Sequence, residues 1–172
     1  MQYTNGIVDF DHALEDKAAQ IAGDGTEPSV PDALSPAAEV RVQTLVEYIK
    51  GNFEGGLAKW AFQESGPTGH VERAMMAEMN GWYGNEATLK FIEEHAKHFP
   101  LEADAIRARY EYANGHREES VQLLEKLFVA YRTNPWSSTM IMNRALDLAR
   151  DLGQSWSPDA VRLFKALGGG WR

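Results

Sequence analysis

Apolar side chains recur at three- and four-residue spacing along most of this chain, and that spacing leaves little besides packed helices for it to fold into. Phe10, Leu14, Ala18 and Ile21 fall on one helical face. A break rich in Gly and Pro follows, from Gly23 to Pro31. Ser35 and Pro36 then read as an N-cap and a first-turn proline, with Val42, Leu45, Val46 and Ile49 as the stripe behind them and Gly51 as the stop. Gly55-Gly56 opens a short segment with Leu57, Trp60 and Ala61 on one side, and Ser65-Gly-Pro-Thr-Gly69 is a second turn-rich break.

Val71, Met75, Met79 and Trp82 carry the pattern to Gly84. Asn85 is positioned to cap a helix bearing Leu89, Ile92, Ala96 and Phe99, which Pro100 is expected to end. Ala103, Ile106, Tyr110 and Ala113 lead to a stop at Gly115. Glu118 and Glu119 then suit the first turn of a helix striped by Leu124, Leu127, Phe128 and Tyr131. Ile141, Ala145, Leu148, Ala149 and Leu152 form the next stripe. After the cap signal at Ser157-Pro158, Ala160, Leu163, Phe164 and Leu167 form the last, and Gly168-Gly-Gly170 releases a short tail. No window alternates like a half-buried strand. The expected fold is all-α: a bundle of eight or nine helices with a helix-pair carboxy-terminal half.

Four segments follow from this pattern: an acidic helix and loop over 1–34, a helical core over 35–100, a helix-pair region over 101–167 and a tail over 168–172. Residues 102–135 resemble a tetratricopeptide-type helix pair through Tyr112-Ala-Asn-Gly115 and the helix beginning Glu118-Glu-Ser-Val-Gln-Leu-Leu. Pro135 arrives a few residues late for a standard unit, and residues 137–167 read as a degenerate second pair. One pair cannot bury its own face, so these helices are expected to pack on those before them.

The formal net charge is −8. Residues 1–40 hold eight acids (Asp9, Asp11, Glu15, Asp16, Asp24, Glu27, Asp32 and Glu39) against Lys17 alone, which leaves −1 for the other 132 residues. Nucleic-acid binders displace counterions with Lys and Arg, so this balance argues against direct nucleic-acid binding and for a basic protein partner. The competing explanation is that acidity serves solubility alone. Cysteine is absent, which removes disulfides, thiolate nucleophiles and Cys-based zinc sites and suits the cytoplasm. No apolar run approaches a membrane span, and no membrane partner is expected.

The segment Glu54-Gly-Gly-Leu-Ala-Lys-Trp-Ala-Phe-Gln-Glu-Ser-Gly66 resembles the signature of a bacterial all-helical family that includes a DNA-mimic protein. Gly55, Gly56, Phe62, Ser65 and Gly66 stand at matching positions, and Trp60 keeps the aromatic character. The flanks agree as well, in Val42-Gln-Thr-Leu-Val-Glu-Tyr-Ile49, Met79-Asn-Gly-Trp82 and His98-Phe-Pro100, so the likeness covers about residues 35–100. Glu54, Leu57 and Lys59 depart from the family's Asn, Phe and Gln. The resemblance implies an all-helical fold, and an activity in which carboxylates spaced like phosphates occupy the basic site of a DNA-binding protein. On the residues' own chemistry the motif is a packing device: paired glycines permit positive φ or close helix approach, while Trp60 and Phe62 fill the core.

Candidate chemistry is sparse. His95 and His98 follow Glu93 and Glu94 near a helix end, without the further ligands that zinc or a di-iron centre needs, so they read as dipole complements. Ser65 and His70 flank a turn without a nucleophile elbow. No phosphate-cradling glycine loop precedes a helix, and no cofactor is expected. Met75 and Met79 belong to the apolar stripe, whereas Met76 and Met140 are the candidates for exposure. Trp136 and Trp156 sit in helix-entry loops, as staples or as partner anchors.

The expected function is a non-enzymatic protein-interaction module that binds a basic or DNA-binding protein through Asp9, Asp11, Glu15, Asp16, Asp24, Glu27, Asp32 and Glu54, helped by Trp136. It would be a DNA-mimic, immunity or anti-defence inhibitor, with a homodimer as one possible assembly. One alternative is a helical-repeat adaptor whose groove holds a peptide. The other is an enzyme with a helical pocket lined by Glu64, His70 and Tyr83.

Overall fold

The computed structural model describes residues 36–133, 138–154, 162, 163 and 165–168, together with Gly23. Among these the chain forms seven helices and no strand: α1 (Pro36–Ile49), α2 (Phe53–Trp60), α3 (Gly69–Trp82), α4 (Thr88–Ala96), α5 (Pro100–Ala113), α6 (Arg117–Thr133) and α7 (Thr139–Gly153). Arg162, Leu163, Lys165 and Ala166 are helical as well. The all-α expectation holds. The chain divides into two compact units, residues 1–79 and 80–172. Gly23, read as the head of the expected break, is helical, and the rest of that break lies outside the described residues.

In the first unit, α1 begins at Pro36 and buries Val42, Leu45 and Val46, while Ile49 is half-buried. The chain then turns into α2 two residues earlier than the glycine pair suggests. Asn52 is the N-cap, its side chain accepting a 3.2 Å hydrogen bond from Gly55 N, so Gly55 and Gly56 lie in the helix's first turn rather than opening it. The inner face of α2 consists of Phe53 and Gly56, not of Leu57, Trp60 and Ala61; the first two of these are half-buried and Ala61 is exposed. Phe53 stacks on Tyr48 with ring centroids 5.9 Å apart. Gly56 provides the close approach expected of the pair: a Cβ there would lie 2.6 Å from Met79 Sδ.

Beneath this contact, Tyr48 Oη donates a 2.6 Å hydrogen bond to the buried carboxylate of Glu78. Burying a carboxyl group without donors is costly, so the phenol secures the α1–α3 contact as well as filling space. Tyr48→Phe is expected to lower stability by about 1.5 kcal/mol, the scale of a hydrogen bond to a charged group. A urea titration should show the midpoint fall with the m-value unchanged.

In the second unit, Asn85 starts α4 differently from the expectation. Its Oδ1 accepts from Ala87 N at 2.9 Å and its carbonyl from Thr88 N at 3.0 Å, a turn that leads into the helix from two residues ahead of the N-cap Ala87 rather than a direct cap. Pro100 does not end α4, which closes at Ala96 as His98 N and Phe99 N both reach back to His95 O. Instead Pro100 is the first residue of α5, where a missing N–H is harmless. Helix α5 packs against α4, α6 and α7. Ala103, Ala105 and Ala108 are all buried on it, and their small side chains let neighbours close in from several directions.

Asn114, Gly115 and His116 turn the chain from α5 into α6, with Gly115 at φ +82° as the expected stop. Val121, Leu124, Leu127 and Phe128 of α6 and Ile141, Met142, Ala145, Leu148 and Leu152 of α7 complete the core. Thirty-nine residues separate the start of α5 from the start of α7. Burial recurs at that interval for some pairs, with Ala103 and Met142, Ile106 and Ala145, Leu124 and Leu163, and Leu127 and Ala166 all buried, but not for others: Ala108 and Phe128 are buried whereas Asp147 and Leu167 are exposed. Arg162 ties the last helical residues to α6 with bonds to Glu125 (2.6 and 3.0 Å) and Glu118 (2.8 and 3.0 Å). Those hydrogen bonds, Glu125 first and then Glu118, raise the guanidinium above its already high pKa.

Candidate functional site

The segment that carries the family resemblance builds a braced turn. Past the end of α2, Ala61 N bonds Leu57 O, Phe62 N bonds Lys59 O at 3.1 Å and Gln63 N bonds Trp60 O at 2.8 Å. The Gln63 side chain donates to Ala37 O at 2.5 Å, which fastens the turn to the start of α1. Arg41 holds the next stretch: its guanidinium bonds Ser65 Oγ at 2.8 Å, Gly66 O at 3.2 Å and Thr68 Oγ1 at 3.2 Å, and it pairs with Glu72. Glu72 also accepts from Thr68 N at 2.7 Å and from the Thr68 hydroxyl at 3.1 Å. The Arg41 guanidinium lies 5.3 Å from the centre of the Trp60 ring, a cation–π contact that adds packing to the clamp.

The turn displays one large apolar group. Phe62 is 81% exposed, so the expectation that it fills the core with Trp60 is wrong; Trp60 itself is half-buried. Ala58 and Ala61 beside it are exposed, as are Glu54 in the first turn of α2 and Glu64 on the braced turn. Positions 54 and 58 share one exposed face of α2, and the exposed Ala61 and Phe62 follow directly after its last residue.

Other candidate residues fall into different surroundings. Asp9, Asp11, Glu15, Asp16, Asp24, Glu27, Asp32, Trp136 and Trp156 lie outside the described residues. The Ser65 hydroxyl accepts from a cation, whereas a serine nucleophile needs a base on its proton. Of the enzyme reading's residues, Glu64 is exposed and His70 half-buried in the first unit, and Tyr83 belongs to the second unit at 55% exposure. Met76 is buried at 7% rather than exposed, and Met140 is half-buried.

His95 and His98 part company at the end of α4. His98 is exposed, while His95 is buried at 2%, stacked on Phe99 at 5.0 Å and bonded through Nε2 to Glu102 Oε2 at 2.8 Å. The other Glu102 oxygen accepts from Ser138 N at 2.6 Å, just ahead of α7. His95 therefore fastens a helix junction instead of only complementing a helix dipole. Among the described residues no group of three or more His, Asp or Glu side chains is placed to hold a metal ion. No helix among them is long and apolar enough to cross a membrane.

The sequence reading missed Arg41, Glu72, Tyr48, Glu78 and Glu102. Only the Thr68-x-x-x-Glu72 spacing, an acid one turn beyond a hydroxyl residue, offered a local signal, for the Thr68–Glu72 bonds. No protein-family model, curated protein or solved structure matches the chain.

Proposed function

We propose that this chain is a non-enzymatic protein-interaction module, an acidic inhibitor that occupies the basic surface of a partner protein, as a DNA mimic does. The observation that carries this reading is the braced turn: Arg41, Ser65, Thr68 and Glu72, the polar groups nearest the family-like signature, hold one another and display Phe62 rather than assembling a reactive centre. The charge supports it, because −7 of the net −8 falls in residues 1–40 and attracts a partner rich in Lys and Arg. Asp9, Asp11, Glu15, Asp16, Asp24, Glu27, Asp32 and Glu54 are the proposed contact acids, with Trp136 as an apolar contact.

The test is recovery of partners on the immobilised chain from the native host at low and at high ionic strength. One basic protein should be held at low salt and released at high salt, and free DNA should compete for it. Recovery that salt leaves unchanged would overturn the inhibitor reading.

A helical-repeat adaptor is the second reading, and the partial 39-residue recurrence of burial from α5 and α6 to α7, Leu163 and Ala166 supports it. Such an adaptor would hold a peptide against the helix-pair region, with binding that survives salt.

A further inference from the structure

We infer that Phe62 is the anchor by which the chain grips its partner, and that the partner offers an apolar socket rimmed by Lys or Arg. This rests on the interaction-module reading. Burying a phenylalanine ring is worth about 1.5–3 kcal/mol, and this chain forgoes that gain inside its own fold. The ring leaves the chain just ahead of a turn that five hydrogen bonds made by Arg41, Glu72 and Gln63 hold, at Ser65 Oγ, Gly66 O, Thr68 N, Thr68 Oγ1 and Ala37 O. The turn therefore has little freedom left to lose on binding, and what a partner must order is the ring's own rotation about its side-chain bonds.

The surroundings set the partner's chemistry. Glu64 lies exposed two residues along the braced turn and Glu54 exposed in the first turn of α2, while the bases nearby are engaged or partly covered: Arg41 pairs with Glu72 and Lys59 is half-buried. A socket carrying acids at its rim, including that of a second copy of this chain at net −8, would be repelled. A basic rim would be drawn in.

Photocrosslinking tests this directly. Phe62→p-benzoylphenylalanine and, as a control in the other unit, Val129→p-benzoylphenylalanine are made in the full chain and irradiated in the native host; Val129 is 55% exposed. The expected result is an adduct at position 62 with one basic protein and none with it at position 129. Against that protein, Phe62→Ala should bind about thirtyfold or more weakly, the scale of a hot-spot aromatic. Its thermal midpoint should match the parent, because so exposed a ring contributes little to folding.

Adducts with a second copy, with an acidic protein or with nothing would overturn the anchor, and so would Phe62→Ala binding within twofold of the parent. If the parent chain still holds a basic, salt-released protein in those cases, the module reading stands and only the anchor falls. If the parent holds no such protein, both fall.

Discussion

Replacing Glu102 with alanine should destabilise the carboxy-terminal unit by about 2–4 kcal/mol, the cost of losing two hydrogen bonds to a carboxylate and leaving buried polar groups unsatisfied. The side chain makes two bonds that nothing else replaces, to His95 Nε2 at 2.8 Å and to Ser138 N at 2.6 Å. His95 Nδ1 has no partner among the described residues, so the truncation would take from a buried imidazole the one hydrogen bond they give it. It would also free the backbone that leads into α7. Glu102→Gln should cost less, about 1–2 kcal/mol, since an amide can keep one of the two bonds. Urea denaturation followed by far-UV circular dichroism measures both. An alanine variant within 1 kcal/mol of the parent would show that the pair contributes little.

Gly56→Val should cost the amino-terminal unit about 2–3 kcal/mol, because the added carbons enter space that Met79 fills. The first of them would sit 2.6 Å from a sulfur whose side chain is fully buried. Valine is the better helix former, and that gain of about 0.5 kcal/mol offsets only part of the overlap. Met79→Ala in the same chain should recover some of the loss, so the two substitutions combined would depart from additivity by about 1 kcal/mol or more. Strict additivity would mean that the helices do not meet there. Gly55→Ala should be milder, about 1 kcal/mol, since its overlap falls on the exposed Asn52 side chain, which can swing away at the expense of its cap.

The helices were legible because their apolar spacing is local. Leu124, Leu127, Phe128, Ile141, Leu148 and Leu152, read from periodicity alone, are all buried. Pro100 misled because proline both stops one helix and suits the first turn of the next, and the two roles leave one sequence mark. Phe62 misled for a different reason. An aromatic residue near other apolar residues is expected inside, and nothing within a few positions reveals that Arg41 and Glu72, 31 residues apart, will hold its turn outward. The same holds for Tyr48 and Glu78 and for Glu102 and Ser138, whose partners meet only after the helices have packed. Polar pairs of this kind carry no period, so a pattern-based reading passes over them. The acidic stretch was plain in the sequence, but its residues up to Asp32 fall outside the described part of the chain.

None of the bonds that shape the turn around residue 62 involves that residue's own side chain; the framework comes from Arg41, Gln63, Ser65, Thr68 and Glu72. Scaffold and tip are therefore separable. A lineage could exchange the tip by a single codon change, to leucine, tryptophan or tyrosine, and so adapt to a drifting target while the supporting architecture stays untouched.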